Sequence, residues 1–211
     1  MTLTEAQNII EAGAPGPYYH DSYRRFEEEY LPTVTRLIGE LLPRRALEIG
    51  PGWGTTMLWM AAQGWAVEVW DMIPKGVWIT DDLLDKASAT FRCRDIFEGP
   101  LQTEAYDLIV MTQVLAHLKH RPDPAVATCR AMLRPGGTLI VTALDPHFAH
   151  AHSTYRHWRE VPEYGTAEPC PDMVVCLYET ADLEELLRTS FAEVTVWQEG
   201  LLNYGVCVRE A

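Results

Sequence analysis

Positive charge is scarce in this chain: 17 Lys and Arg stand against 30 Asp and Glu, a formal net charge of −13. Nucleic-acid binding rests on neutralising phosphates with basic side chains, so that field disfavours DNA and RNA as partners. No run of 18 apolar residues occurs, and Met1 to Glu11 lacks a basic stretch followed by an apolar core, so neither a membrane protein nor a secreted one is expected. The five cysteines, Cys93, Cys129, Cys170, Cys176 and Cys207, include no C-x-x-C pair. That scatter suits a reducing, cytoplasmic setting rather than a disulfide framework. Cys93, Cys129 and Cys207 fall in apolar segments and read as small buried hydrophobes. There is no internal repeat, no low-complexity linker, and no G-x-x-x-x-G-K-[ST] phosphate loop.

What is present is enough apolar content, 47% of 211 residues, to bury one core, so a single domain over 1–211 is the default. Its centre is Ala46-Leu-Glu-Ile-Gly-Pro-Gly-Trp-Gly54. A short apolar strand carrying Glu48 runs into Gly50, Gly52 and Gly54, then into a helical run from Thr55. Glycine admits φ > 0 and lets a ligand approach without a Cβ in the way, and the helix start beyond it offers unpaired N–H groups. A dinucleotide fingerprint would need G-x-G-x-x-G, yet Thr55 holds its third glycine position.

Ahead of that turn, apolar residues recur with helical spacing from Tyr23 through Leu41, with Glu27, Glu28 and Glu29 assigned to the wet side. Pro32 is expected to kink or split that helix. Residues 1–42 thus read as a helical cap. Beyond the turn, Ala66–Trp70 reads as a strand closing on Asp71, Asp81–Ala87 as a helix, and Phe91–Arg94 as a third strand delivering Asp95 and Ile96. Tyr106–Met111 is almost continuously apolar, as a buried parallel strand is. Pro122–Leu133 follows as a helix, and Arg134-Pro-Gly-Gly137 turns the chain into a strand at 138–143. Thr180–Ser190 reads as a helix, and 194–197 and 204–208 as the last strands.

The run LEIGPGWG, with Asp71, Asp95, the block YDLIVMTQVLAHL and the block MLRPGGTLIVTAL in that order, resembles class I S-adenosylmethionine-dependent methyltransferases of the small-molecule type. The resemblance is close over residues 45–143. It implies an α/β fold: a Rossmann-like three-layer α/β/α sandwich whose seven-stranded, mostly parallel sheet has one antiparallel strand. It implies S-adenosyl-L-methionine as cofactor, with Glu48, Gly50, Gly52 and Gly54 against its amino-acid and ribose parts. Asp71 would accept the ribose hydroxyls, Asp95 and the Ile96 N–H would meet the adenine edge, and Gln113, Tyr18 and Tyr23 would complete the site. Trp53 departs from the small or polar residue usual between the last glycines.

A sulfonium methyl is already activated, so transfer mainly needs an in-line approach, with a base where the acceptor must lose a proton. The candidate bases are His117, after the fourth strand, and His147, after the fifth, since both titrate near neutrality. No metal is expected, although His147, His150, His152 and His157 are compositionally suggestive. Residues 145–178 match no family pattern and read as a substrate lid, placed where open α/β sheets bind ligands. Trp53 and Trp158 are candidates to line an aromatic acceptor pocket.

The expected function is methylation of oxygen, nitrogen or carbon on a small molecule in cytoplasmic metabolism. The partner is a small-molecule substrate, with no nucleic acid and no membrane, and a homodimer is compatible with the sequence. Three alternatives stay open. One is the same fold attacking another carbon of the sulfonium, by aminocarboxypropyl transfer or cyclisation of the amino-acid arm. Another is a non-catalytic cofactor-binding partner subunit. A nicotinamide oxidoreductase is the third, opposed by Thr55 and the Pro-Gly-Gly block.

Overall fold

The computed structural model describes residues 1–13, 24–76, 78–118, 120–146, 159 and 176–210. Its contacts group into two compact units, Met1–Arg94 and Asp95–Ala211. The seven strands form one sheet in the order β3-β2-β1-β4-β5-β7-β6, the mostly parallel α/β sheet expected.

In the first unit, helices α1 (Leu3–Gly13) and α2 (Arg24–Gly39) precede strand β1 (Arg45–Ile49); α3 (Thr55–Ala62), β2 (Ala66–Asp71), α4 (Asp81–Ala87) and β3 (Thr90–Cys93) follow. Strand β1 pairs in parallel with β2, and β2 with β3. Helix α3 is apolar almost all round, and Thr55, Thr56, Met57, Leu58 and Met60 are buried, as an internal helix requires.

Three expectations change here. Pro32 lies inside the continuous α2 instead of splitting it. Its ring is on the exposed side, where the donor that a proline lacks is missed least. Glu28 and Glu29 are exposed as expected, but Glu27 is buried, at 2% exposure. Cys93 is exposed rather than buried, because β3 is the outermost strand and three of its four residues are open to solvent.

In the second unit, a 3-10 turn at Ile96–Glu98 leads to β4 (Tyr106–Thr112), a second 3-10 turn at Leu115–His117, α5 (Asp123–Met132), β5 (Leu133–Leu144), α6 (Thr180–Arg188), β6 (Glu193–Glu199) and β7 (Leu202–Val208). β4 and β5 are parallel, and β7 runs antiparallel to both β5 and β6. The strand expected to start at Thr138 begins at Leu133, which already pairs with Tyr106. Arg134-Pro-Gly136 is a bulge of exposed residues within it. Gly136 has φ +77°, and its N–H donates to the Arg209 carbonyl at 2.8 Å while Arg209 N–H donates to Gly137. A Cβ on Gly137 would stand 2.9 Å from the Arg134 carbonyl oxygen, so the bulge closes only around glycine.

Candidate functional site

The glycine turn is built by backbone conformation. Gly50, Gly52 and Gly54 have φ of +64°, +54° and +89°, the left-handed region that costs a side-chain-bearing residue about 1 kcal/mol or more. Gly50 N–H donates to the Trp70 carbonyl of β2 at 2.8 Å, and Gly54 N–H to Pro51 at 2.9 Å. A Cβ on Gly54 would meet Ile79 Cδ1 at 2.9 Å. The turn is therefore seated between β2 and the loop before α4.

Two carboxylates lie buried against the start of α3. Glu48 (1% exposed) takes hydrogen bonds from the Thr56 hydroxyl and Met57 N–H. Its Oε2 has no hydrogen-bond partner. Glu27 of α2 accepts from Thr55 Oγ1, at 2.8 Å to Oε1 and 3.1 Å to Oε2. Burial pushes the Glu48 carboxyl up to about 8, with the charge of Glu27 adding to the shift. Sequence reasoning missed Glu27. The signal was available, because residues 27, 31, 34 and 38 lie on one helical stripe, and the other three are fully buried aliphatics.

Asp71 ends β2 half-buried and accepts from Ile73 N–H at 2.8 Å on one oxygen. Burial raises its pKa, against hydrogen bonds from Ile73 and Met72. Trp53 is buried and meets Trp78 edge-to-face at 4.7 Å. These two, with Ile10, Leu83 and Lys86, line a cavity of about 430 Å³ that Gly50, Gly52 and Asp71 do not line. Its lysine is already paired with Asp82.

In the second unit, Asp95 caps the 3-10 turn, accepting from Phe97 N–H at 3.0 Å, and Ile96 is buried beside it. Gln113 sits just past β4 with φ +60°, one of three non-glycine residues at positive φ among the described residues. It is held there by Thr142 of β5. The Gln113 N–H donates to the Thr142 carbonyl at 3.2 Å and Oγ1 at 3.0 Å, and Nε2 donates to Oγ1 at 2.8 Å. Its Oε1 is buried without a partner. Strain of that kind is held by its surroundings and concentrates at functional positions. His117 ends the second 3-10 turn with an exposed face, yet desolvation lowers its pKa below the usual imidazole value. Tyr18, Tyr23, His147, His150, His152, His157, Trp158 and most of the 145–178 segment lie outside the described residues. Among the described residues, no group of three or more His, Cys, Asp or Glu could hold a metal ion, and no helix is long and apolar enough to cross a membrane.

In the first unit, parallel strands carry a glycine turn after β1 and a carboxylate at the end of β2, an arrangement that nucleoside-cofactor folds share. Residues 21–190 match the methyltransferase domain family, so the chain belongs to that family, whose cofactor is S-adenosyl-L-methionine. It is 31% identical over 112 residues to a ubiquinone biosynthesis O-methyltransferase of Marinobacter nauticus, an alignment covering 50% of this chain and 46% of that protein. This chain thus spans about half the length of that curated relative. Among solved structures it is similar to the N-methyltransferase NodS of Bradyrhizobium japonicum in complex with S-adenosylhomocysteine. That match has 17% identity and a TM-score of 0.63, covering 98% of this chain and 99% of that one. It is also similar to a Burkholderia thailandensis 1,6-didemethyltoxoflavin-N1-methyltransferase, at 18% identity and a TM-score of 0.63, covering 100% and 92%.

Proposed function

We propose that this chain transfers the methyl group of S-adenosylmethionine to oxygen, nitrogen or carbon of a small-molecule acceptor in the cytoplasm. The observation that carries the reading is a turn of three left-handed glycines directly after a buried carboxylate that is short of donors. Such a site fits a ligand with a cationic end and a backbone-hugging body. The relatives named above methylate different kinds of atom, one oxygen and others nitrogen, so the acceptor atom stays open within the class.

In this assignment Glu48 receives the amino-acid arm, and Gly50, Gly52 and Gly54 keep Cβ atoms out of its way. Asp71 accepts from the ribose hydroxyls. Asp95 and the Ile96 N–H meet the adenine edge, and Gln113 offers its unpartnered Oε1. Tyr18 and Tyr23 are assigned to covering the arm, and residues 145–178 to the acceptor wall. The bound cofactor supplies an activated sulfonium methyl. His117 is neutral at pH 7, since desolvation lowers its pKa from 6.5, and so is ready to take the acceptor's proton; His147 is the second candidate.

The test is incubation with methyl-labelled cofactor and an extract of the source cells, followed by identification of the labelled product. Labelled acceptor with release of S-adenosylhomocysteine is the expected outcome. Release of methylthioadenosine would establish reaction at the amino-acid arm instead, and cofactor binding without turnover would establish a partner subunit. With the acceptor in hand, kcat should fall on acidification only below the ordinary imidazole value, and His117→Gln should remove that limb. An unchanged limb would pass the role to another base.

A further inference from the structure

We propose that Glu27 and Glu48 act together as a buried carboxylate pair that holds one proton in the empty protein and gives it up when the cationic amino-acid end of the cofactor binds. This rests on the cofactor reading above and adds to it a second carboxylate, from the helical cap, and a proton.

Consecutive threonines at the start of α3 each hold one carboxylate, Thr55 the Glu27 side chain and Thr56 that of Glu48. Both acids are at least 98% buried by exposure (2% and 1%), and they repel one another. Two like charges in one desolvated place cannot both be kept without a cation between them or a proton on one. Among the described residues of Met1–Arg94, no cation acts on Glu48. Glu27 is the only charged group among the described residues that acts on it, α3 offers one hydroxyl and one N–H, and its register partner on β2 is Val69. Of the arginines in this unit, Arg24 pairs with Glu11 and Glu28, and Arg45 and Arg92 pair with Glu68. Glu48 Oε2 is the group left over, buried and unpartnered. A protonated Oε2 is tolerated there. An ammonium ion is accommodated better, because it supplies both the missing donor and the missing charge.

The step balances simply. The empty pair carries one proton and one negative charge; on binding, the proton leaves to solvent and both carboxylates face the ligand's ammonium. No covalent bond to carbon changes. Affinity for any ligand bearing that ammonium therefore rises with pH until the empty pair is itself ionised.

Calorimetry of the whole protein at pH 6.5, in two buffers of different ionisation enthalpy, tests this directly. At that pH an α-amino group is fully protonated. Titration with S-adenosylhomocysteine should release close to one proton, and its affinity should climb about tenfold per pH unit from roughly pH 5.5 to 7. 5′-Methylthioadenosine, which lacks the amino-acid arm, should bind with no proton exchange. Glu48→Gln should abolish the release, and Glu27→Gln should shrink it, because removing the repelling charge lets Glu48 ionise before the ligand arrives. Both ligands binding with buffer-independent enthalpy would overturn the proton pair and leave the cofactor reading standing. Neither ligand binding at all would overturn both.

Discussion

Glu48 and Glu68 stand on neighbouring strands, both buried, and have opposite fates. In register, Leu47 faces Glu68 and Glu48 faces Val69, so alternation sends the two carboxylates to opposite faces of the sheet. On one face Glu68 is saturated. Trp70 Nε1 donates to it at 2.8 Å, Arg45 Nη2 at 3.3 Å, and Arg92 Nε closes the cluster. On the other, Glu48 has a hydroxyl, an amide and a like charge for company, and one oxygen with nothing. A saturated buried acid contributes to folding. An unsaturated one destabilises the empty protein, and that deficit can be made good by a ligand.

The largest expected effect follows from the sign of the Glu48 shift. Its pKa is about 8 folded against 4.5 in the unfolded chain, so the native state holds the extra proton between those values. Stability from this group is full below pH 4.5 and is lost as pH rises through about 8. At about 1.4 kcal/mol per pH unit, cofactor-free protein should lose a few kcal/mol between pH 5 and 8, about 10 °C in Tm. Glu48→Gln should flatten that slope in thermal melts; a slope retained in the variant would erase the contrast with Glu68.

Glu68→Ala should cost less, about 2 kcal/mol, mainly by stranding the buried Trp70 Nε1–H, since Arg45 and Arg92 are well exposed and screened. Denaturant unfolding measures this, and S-adenosylhomocysteine affinity should stay within about twofold. A large affinity loss would show that the two faces are not separable.

Gln113 extends the comparison to the second unit, as another buried group short of a partner. Gln113→Gly removes left-handed strain of about 1 kcal/mol and also the bonds to Thr142, so net stability should move by less than about 1 kcal/mol. Ligand affinity should nevertheless fall severalfold. Unchanged affinity would make the orphaned Oε1 incidental.

The parts legible in sequence are those set by local rules. Continuous apolar runs gave β4, glycine and aspartate punctuation gave the turn after β1 and the end of β2, and Asp81–Ala87 matched α4 residue for residue. The misreadings share another origin. Glu27, Cys93 and the start of β5 depend on neighbours far away in the chain. A charged residue on an apolar stripe is ordinarily lifted to the wet edge, and the hydroxyl of Thr55, far along the chain, is part of what holds Glu27 inside. Cys93 sits in an apolar segment whose strand happens to be outermost. Leu133 joins β5 because Tyr106 pairs with it across the bulge, a pairing no local pattern announces. For the candidate site, the glycine turn, Glu48, Asp71 and the strained Gln113 were named from motif, while the second carboxylate was not.

Asn203 of β7 carries a different consequence. Its side-chain amide donates to Asp145 Oδ2 at 3.0 Å and to the Tyr178 carbonyl at 2.7 Å, while Thr180 Oγ1 donates to its oxygen at 2.7 Å. Cys176 N–H reaches Ala116 and Tyr178 N–H reaches Leu144. One amide thus clasps both ends of the 145–178 stretch, and the framework is complete on either side of it. The consequence is a shared dependence: Asp145, the Tyr178 carbonyl and the Thr180 hydroxyl all draw on one side chain, so Asn203→Ala takes a hydrogen bond from each of them at once.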